Sequence, residues 1–346
     1  MVMKNDYVKL ILALTLMKPL VIVPVYIISG SDFFTLITTR WDSILYETIA
    51  SEGYVKQCLF AFPPVYPEMI KSLYFVVGSY NLSAFIVTNI LGYVFPIIVS
   101  KTFDFKTALA VELFPVYVLY STIPYSDVIY LTLLALTFYF IKTRKTLFSS
   151  LTMGLAIITF YSIAWTLPSF IVRLKKDYLK FLPIPLLSGI LILAWYKEVT
   201  GNPFYYFSLE KEIWGVEFTT PWGQASWILN GWFTDQPWKI LSIPITPLDW
   251  FIRNLAFEVF FITLAILLIK VQDEIKWLYF TYSLFAIVPL LLVIGTPAIS
   301  VPRLLLSAFP VFYSLRIRRY WWIAYIVPCV ILTPFFTMWQ IYAFFS

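Results

Sequence analysis

The sequence contains no histidine and only two cysteines, and charged residues make up 13% of its 346 residues. Without histidine, the chain has no His–carboxylate catalytic pair, no His-ligated zinc or iron and no imidazole base. The two cysteines, Cys58 and Cys329, are too few for a disulfide framework or a cysteine-rich metal site, and we interpret them as small apolar side chains. Any chemistry of this protein therefore depends on other groups.

The shortage of charge is accompanied by an excess of apolar residues. Hydrophobic residues make up 60% of the chain and aromatic residues 20%, and the mean hydropathy is +0.82. A soluble domain has about 25% charged residues and about 45–50% apolar ones. The composition therefore excludes a water-soluble globule and predicts an all-α membrane protein, a polytopic bundle of transmembrane helices.

Long apolar runs predict about nine membrane spans and one helical hairpin between Leu147 and Val172, since a span requires about 20 mainly apolar residues. The spans are Leu10–Ser29, Leu82–Ser100, Thr107–Leu119, Asp127–Ile141, Phe181–Tyr196, Phe251–Ile269, Trp277–Ile294, Val301–Leu315 and Trp321–Ala343. The first is interpreted as a retained signal anchor. No internal repeat or soluble segment is visible, so we predict one membrane domain over residues 1–346.

The few charges are unevenly distributed along this topology. With the N-terminus in the cytoplasm, most of the 25 basic residues lie in short cytoplasmic segments, in agreement with the positive-inside rule. Acidic residues favour the other side, where two long loops cover about residues 30–81 and 197–250. Both loops are rich in aromatic residues, which is typical of helices in the membrane interface. The net charge of +6 thus indicates orientation and does not require nucleic acid.

The first long loop contains WDSILYETIASEGY from residue 41 and FAFPPVYP from residue 60. Its spacing predicts an interfacial helix that begins near Asp42 and ends at Gly53. Asp42 would occupy the N-cap position of that helix. An ordinary helix cap and a catalytic carboxylate are both consistent with this position, so the pattern alone leaves the role of Asp42 open.

This loop resembles the first lumenal loop of the GPI mannosyltransferase II (PIG-V) family, and later segments resemble that family in the same order. These are YSD at residues 125–127, TGNPF at 200–204 followed by Trp214, and VPRLL at 301–305 followed by FP at 309–310. One segment departs from the family: its arginine and glycine are absent where this chain has Thr159-Phe160-Tyr161. The resemblance covers most of the chain.

The resemblance implies a GT-C glycosyltransferase, with the active site in the two long external loops. Such an enzyme transfers a sugar from a polyprenyl-phosphate carrier on the non-cytoplasmic face, and in this family the donor is dolichyl-phosphate mannose. We therefore expect an inverting mannosyltransferase in the lipid bilayer, acting on a glycolipid or glycan acceptor. The compact chain favours a prokaryotic plasma membrane over the endoplasmic reticulum.

Displacement of a lipid phosphate at an anomeric carbon requires a carboxylate that accepts a proton and a cation that holds the phosphate. In GT-C enzymes the base lies in the first external loop, so the resemblance selects Asp42 as the catalytic base and Glu52 as the second candidate. For the donor phosphate the candidates are Arg303, in a short proline-flanked external segment, and Arg253. One donor would have to contact both groups, so Asp42 and Arg303 should lie within about 15 Å of each other around one cavity.

The remaining candidates would contact the substrates. They are Trp41, Tyr54, Tyr66, Tyr125, Asp127 and Trp214. No metal-ligand spacing stands out, although carboxylates alone could bind a divalent ion weakly. Two alternative functions stay open. A polyprenyl-lipid transporter or flippase would show inverted repeats, which are not visible, and a catalytically inactive membrane subunit would explain the missing arginine near Phe160.

Overall fold

The computed structural model describes residues 4–174, 177–230, 238–240, 243–317 and 321–342. Within these ranges the chain is almost entirely helical, which confirms the all-α prediction. The α-helices are α1 Lys4–Met17, α2 Pro19–Ser29, α3 Phe33–Thr39, α4 Asp42–Glu52, α5 Val65–Val77, α6 Tyr80–Thr102, α7 Phe105–Glu112, α8 Pro115–Tyr120, α9 Asp127–Lys142, α10 Thr146–Thr159, α11 Leu167–Arg173, α12 Tyr178–Phe181, α13 Pro183–Thr200, α14 Tyr205–Glu212, α15 Pro221–Leu229, α16 Pro247–Leu268, α17 Lys276–Ile287, α18 Thr296–Ile299, α19 Val301–Leu304 and α20 Trp321–Tyr342. Described 3-10 helices cover Gly30–Asp32, Gln57–Ala61, Tyr161–Thr166, Val288–Leu292 and Leu305–Ile317, and the strands are β1 Glu217–Phe218, β2 Trp238–Ile240, β3 Ile243–Ile245 and β4 Val293–Ile294.

Five helical stretches in the described part of the chain are long and apolar enough to cross a membrane. They are Asn5–Thr39, Tyr80–Thr102, Tyr178–Thr200, Pro247–Leu268 and Ala324–Ile341. Each overlaps one of the predicted spans. The apolar helices fit a lipid bilayer, whereas the predicted total of about nine spans is not confirmed.

The other predicted spans are shorter or interrupted. The run Thr107–Leu119 is divided into α7, which ends at Glu112, and α8, whose first residue is Pro115; this proline has no N–H to donate to the last turn of α7. Helix α9 has 16 residues and is therefore about 24 Å long, less than the roughly 30 Å of a hydrocarbon core. The run Val301–Leu315 is α19 followed by a 3-10 helix that contains Pro310.

One charged side chain is buried near the middle of the first apolar stretch. Lys18, between α1 and α2, is 6% exposed. Its ammonium group donates hydrogen bonds to the side-chain oxygen of Asn89 and to the backbone oxygen of Ser121, the latter at 2.8 Å, and lies 4.7 Å from the centre of the Tyr93 ring. Lys18 thereby connects the first apolar stretch to α6 and to the turn between α8 and α9.

The second long loop is attached to the segment before Arg303 by backbone contacts. Strand β1 pairs antiparallel with β4. The backbone N–H and the hydroxyl of Thr296 both donate to the backbone oxygen of Trp214, at 3.0 and 3.1 Å. Gly215 and Gly295 pass each other closely here, and both have positive φ. Trp214 is therefore held against the segment that leads to Arg303.

We expect Gly295→Ala to lower the free energy of unfolding by about 1–3 kcal/mol, because its φ of +91° is unfavourable for a residue with a Cβ atom. That Cβ would also lie 2.7 Å from the backbone oxygen of Trp214 and closer still to that of Gly215. The measurement is thermal unfolding in detergent. Gly189→Ala in α13, where the added Cβ meets open space, is the matched control and should not destabilise. Equal unfolding midpoints for the two variants would contradict this account.

Candidate active site

Helix α4 begins at Asp42 and ends at Gly53, which has φ +82°, so the predicted helix is present with the predicted ends. The predicted N-cap residue, however, is wrong by one position. The N-cap is Trp41, which has a positive φ of 59°, and Asp42 is the first residue of the helix instead of its cap. A positive φ is uncommon for a bulky residue and indicates a backbone held by its surroundings. Asp42 therefore projects from a constrained turn.

Hydrogen bonds hold α4 against the turn that leads into α9. The Ser43 hydroxyl donates to the backbone oxygen of Pro124 at 2.8 Å, and the hydroxyls of Tyr46 and Ser126 are 2.7 Å apart. Ser43 and Tyr46 are both buried. These contacts place the start of α4 beside the start of α9, where Asp127 lies.

Arg303 joins this pair of helix starts. One terminal guanidinium nitrogen lies 2.6 Å from an Asp42 carboxylate oxygen, and Nε lies 3.9 Å from an Asp127 oxygen. The guanidinium carbon also lies 5.2 Å from the centre of the Tyr125 ring and 5.8 Å from that of Tyr120. The predicted proximity of Asp42 and Arg303 is thus confirmed as direct contact, and two further sequence candidates, Asp127 and Tyr125, belong to the same cluster.

Two cavities meet at this cluster. The first, which we call the Arg303 cavity, has a volume of about 260 Å³, and the polar residues that line it include Asp42, Ser162, Tyr206, Glu210, Trp214 and Arg303. The second, the Arg40 cavity, has a volume of about 760 Å³ and is lined by α3, the start of α4 and the residues that flank α3, among them Asp32, Thr35, Thr39 and Arg40. Asp42 and Trp214 line both cavities. A group bound at Asp42 can therefore be approached from two directions.

Glu210 is a cavity residue that the sequence patterns do not single out. The pKa of the Glu210 carboxyl is raised to about 7, mainly by burial; interaction with the Tyr206 hydroxyl lowers it, and the charge of Asp42 raises it. Tyr206 and Glu210 lie four residues apart on α14 and share one helix face. That spacing is the signal in the sequence that could have identified the pair.

The second candidate base lies elsewhere. Glu52 is exposed at the other end of α4, about 15 Å from Asp42 along the helix axis, and it lines neither the Arg303 cavity nor the Arg40 cavity. Another carboxylate of this helix, Glu47, is buried, and burial raises its pKa to about 8. The structure therefore distinguishes the three carboxylates of α4 by their surroundings.

Three aromatic candidates contribute in different ways. Trp214 lines both cavities, and its indole N–H has no hydrogen-bond partner in the described part of the chain. Tyr66 is buried, donates a hydrogen bond to the backbone oxygen of Ala84 at 3.1 Å and thereby attaches α5 to α6. The Tyr54 hydroxyl donates to the backbone oxygen of Phe62, 2.9 Å away. Trp214 is placed to contact a ligand, whereas Tyr54 and Tyr66 hold the first loop together.

Arg253 lines neither cavity. Its guanidinium donates to the backbone oxygen of Ile299 at 2.6 Å and to the side chain of Asn254 at 2.9 Å, and it stacks on the Trp250 ring at 4.0 Å. Asn254 in turn donates to the backbone oxygen of Ala298. This placement favours a structural role, in which α16 holds the segment that leads to Arg303, and a direct role at the donor phosphate stays a prediction.

Within the described residues, no group of three or more Asp, Glu or Cys side chains is arranged to hold a metal ion. Comparison of the chain with protein-family models, with curated proteins and with solved structures finds no match.

We expect Arg253→Gln to lower the free energy of unfolding by about 1–3 kcal/mol, because the buried carbonyl of Ile299 loses its donor. Arg173→Gln is the matched control, since Arg173 also lies over a tryptophan ring but is exposed on α11. The control should stay within about 0.5 kcal/mol of the unsubstituted protein. Thermal unfolding in detergent measures both, and a stable R253Q protein would show that the Arg253 side chain does not hold the Arg303 segment.

Proposed function

We propose that this chain is a membrane glycosyltransferase, most consistent with a mannosyltransferase, that moves a sugar from a polyprenyl-phosphate donor to a glycolipid or glycan acceptor. The observation that carries the proposal is the contact between Arg303 and Asp42, 261 residues apart in the sequence, at the wall of a cavity. The reaction requires a cation for the phosphate and a carboxylate for the proton, and this contact places both at one point.

Arg303 retains the capacity to bind a phosphate while it contacts Asp42. A guanidinium has five N–H donors, and one terminal nitrogen serves the carboxylate in the 2.6 Å contact. Arg303 lines the cavity, so its other donors can form the paired hydrogen bonds that phosphate oxygens accept. A bound phosphate would compete with Asp42 for the guanidinium and leave the carboxylate oxygens available to a second substrate.

In the proposed reaction, the acceptor hydroxyl oxygen attacks the anomeric carbon and forms the new glycosidic bond. The bond from that carbon to the phosphate oxygen breaks, and its electron pair stays on the departing polyprenyl phosphate, next to Arg303. The hydroxyl proton passes to Asp42. Attack from the side that faces away from the phosphate inverts the anomeric centre.

The lining of the Arg303 cavity also fits a lipid-linked donor. Trp165 and Phe218 line the cavity with more than half of their surface exposed, and their ring centres are 6.0 Å apart. Phe285 and Leu290, on α17 and the 3-10 helix that follows, continue this apolar lining. A polyprenyl chain could therefore extend from the phosphate along apolar side chains into the bilayer.

The first test of the proposed base is Asp42→Asn, which preserves the size of the side chain and removes its ability to accept a proton. We expect it to lower the rate of mannosyl transfer by about 10²–10⁴-fold. The assay supplies polyprenyl-phosphate mannose and candidate acceptors to membranes that contain the protein. Glu52→Gln, at the exposed end of the same helix, should retain transfer. Loss of transfer in E52Q but not in D42N would reassign the base.

The second test concerns the phosphate. Arg303→Gln should weaken binding of polyprenyl phosphate by about 10–100-fold, because a hydrogen bond to a charged group contributes about 1.5–3 kcal/mol. Arg303→Lys keeps the charge but not the planar guanidinium, so its affinity for polyprenyl phosphate should lie between those of the unsubstituted protein and R303Q. Binding is measured in detergent with purified protein whose folding is verified by thermal unfolding. If folded R303Q binds polyprenyl phosphate as tightly as the unsubstituted protein, Arg303 does not hold the phosphate.

A further inference from the structure

The Arg303 cavity contains a second group of polar side chains, separate from the cluster of Arg303 with its two carboxylates. Tyr206 and Glu210, on α14, and Ser162, in the 3-10 helix Tyr161–Thr166, all line the cavity. The Tyr206 hydroxyl interacts with the Glu210 carboxylate and also with the hydroxyl of Ser162. The three side chains thus form a continuous row of hydrogen-bonding groups on the cavity wall.

The two carboxylates of the cavity differ in how their charge is balanced. Asp42 has Arg303 at 2.6 Å. Within the described residues, no lysine or arginine nitrogen lies within 4 Å of the Glu210 carboxylate oxygens. The carboxylate interacts instead with the Tyr206 hydroxyl. A carboxylate has about four acceptor sites, so Glu210 can accept further hydrogen bonds from a ligand.

We propose that Glu210, together with Tyr206 and Ser162, forms the subsite that binds the hydroxyl groups of the transferred sugar. A hexose presents neighbouring hydroxyl groups, and the two oxygens of one carboxylate can accept from two of them. Tyr206 is a positioning residue that holds Glu210. This inference rests on the proposed function, since it assigns the sugar of the same donor whose phosphate binds Arg303.

The neighbours of Glu210 determine how the subsite responds to pH. The titratable side chains that act on Glu210 are Tyr206, on the same helix, and Asp42, the partner of Arg303. The other charged residues of α14 are Lys211, which lies 3.7 Å from Glu217, and Glu212, which is exposed. Tyr161 and Tyr196, on the elements packed against α14, lie against the Tyr206 ring, and the 3-10 helix Gln57–Ala61 contributes no charged residue. Because the pKa of Glu210 is raised to about 7, protonation near neutral pH removes acceptor capacity.

The experiment compares two lipids on purified protein in detergent: polyprenyl-phosphate mannose, and the same polyprenyl phosphate without the sugar. Glu210→Gln should weaken binding of the mannosyl lipid by about tenfold and change binding of the sugar-free lipid by no more than about twofold. Between about pH 8 and about pH 6, binding of the mannosyl lipid should weaken in the unsubstituted protein and stay constant in E210Q, because the group with a pKa of about 7 is gone.

Two further variants keep the test decisive. Ser162→Ala changes an exposed side chain and should weaken the mannosyl lipid selectively, by a few fold, even if E210Q folds poorly. Glu212→Gln removes an exposed carboxylate two residues along α14 and should change neither affinity. The subsite would be overturned if E210Q and S162A each weakened the mannosyl and the sugar-free lipid equally, or if they changed the binding of neither lipid. If the unsubstituted protein binds the sugar-free lipid but not the mannosyl lipid, the subsite is also wrong, and if it binds neither, the proposed function itself fails.

Discussion

The ion pair of Arg303 and Asp42 joins two segments that are far apart in the sequence: a guanidinium nitrogen of Arg303 lies 2.6 Å from a carboxylate oxygen of Asp42. A carboxylate oxygen of Asp127 completes the group, 3.9 Å from Nε of Arg303. A charge in a poorly solvated place is costly unless it is paired and hydrogen-bonded, so the start of α4, the start of α9 and the segment of α19 must keep their relative positions. The surrounding contacts serve this requirement. Ser43 and Tyr46 hold α4 to the turn before α9, and α16 holds the segment before α19 through Arg253.

Features with local causes were predictable from the sequence. The all-α class follows from composition. The bounds of α4 follow from apolar spacing and from Gly53, whose φ of +82° suits glycine. The requirement that one sugar phosphate contact both Asp42 and Arg303 predicts a shared cavity, and the two side chains are in contact. These predictions depend on composition, on patterns within a few residues, or on the requirement that two residues contact one substrate.

Features that depend on packing between distant segments were not predictable. The breaks in the runs Thr107–Leu119 and Val301–Leu315 are an exception, because Pro115 and Pro310 are visible in the sequence and a count of spans by hydropathy alone ignores them. Asp42 and Glu52 are both carboxylates of the same helix, and the sequence offers both as candidate bases. Only the tertiary structure shows that Glu52 is exposed and that Asp42 pairs with Arg303. The spacing of Tyr206 and Glu210 is visible in the sequence, but only the tertiary structure shows that α14 borders the same cavity as Asp42.

The 261-residue separation of Asp42 and Arg303 also has a consequence for biosynthesis. At roughly 5–20 residues per second, the ribosome needs on the order of 10–50 s to reach the arginine after it has made the aspartate. During that time α4 is present without its cation, and its surroundings can be completed only after residue 303 of the 346-residue chain has been synthesised. Truncation before Arg303 would leave a fully synthesised first loop whose carboxylate never acquires its counterion.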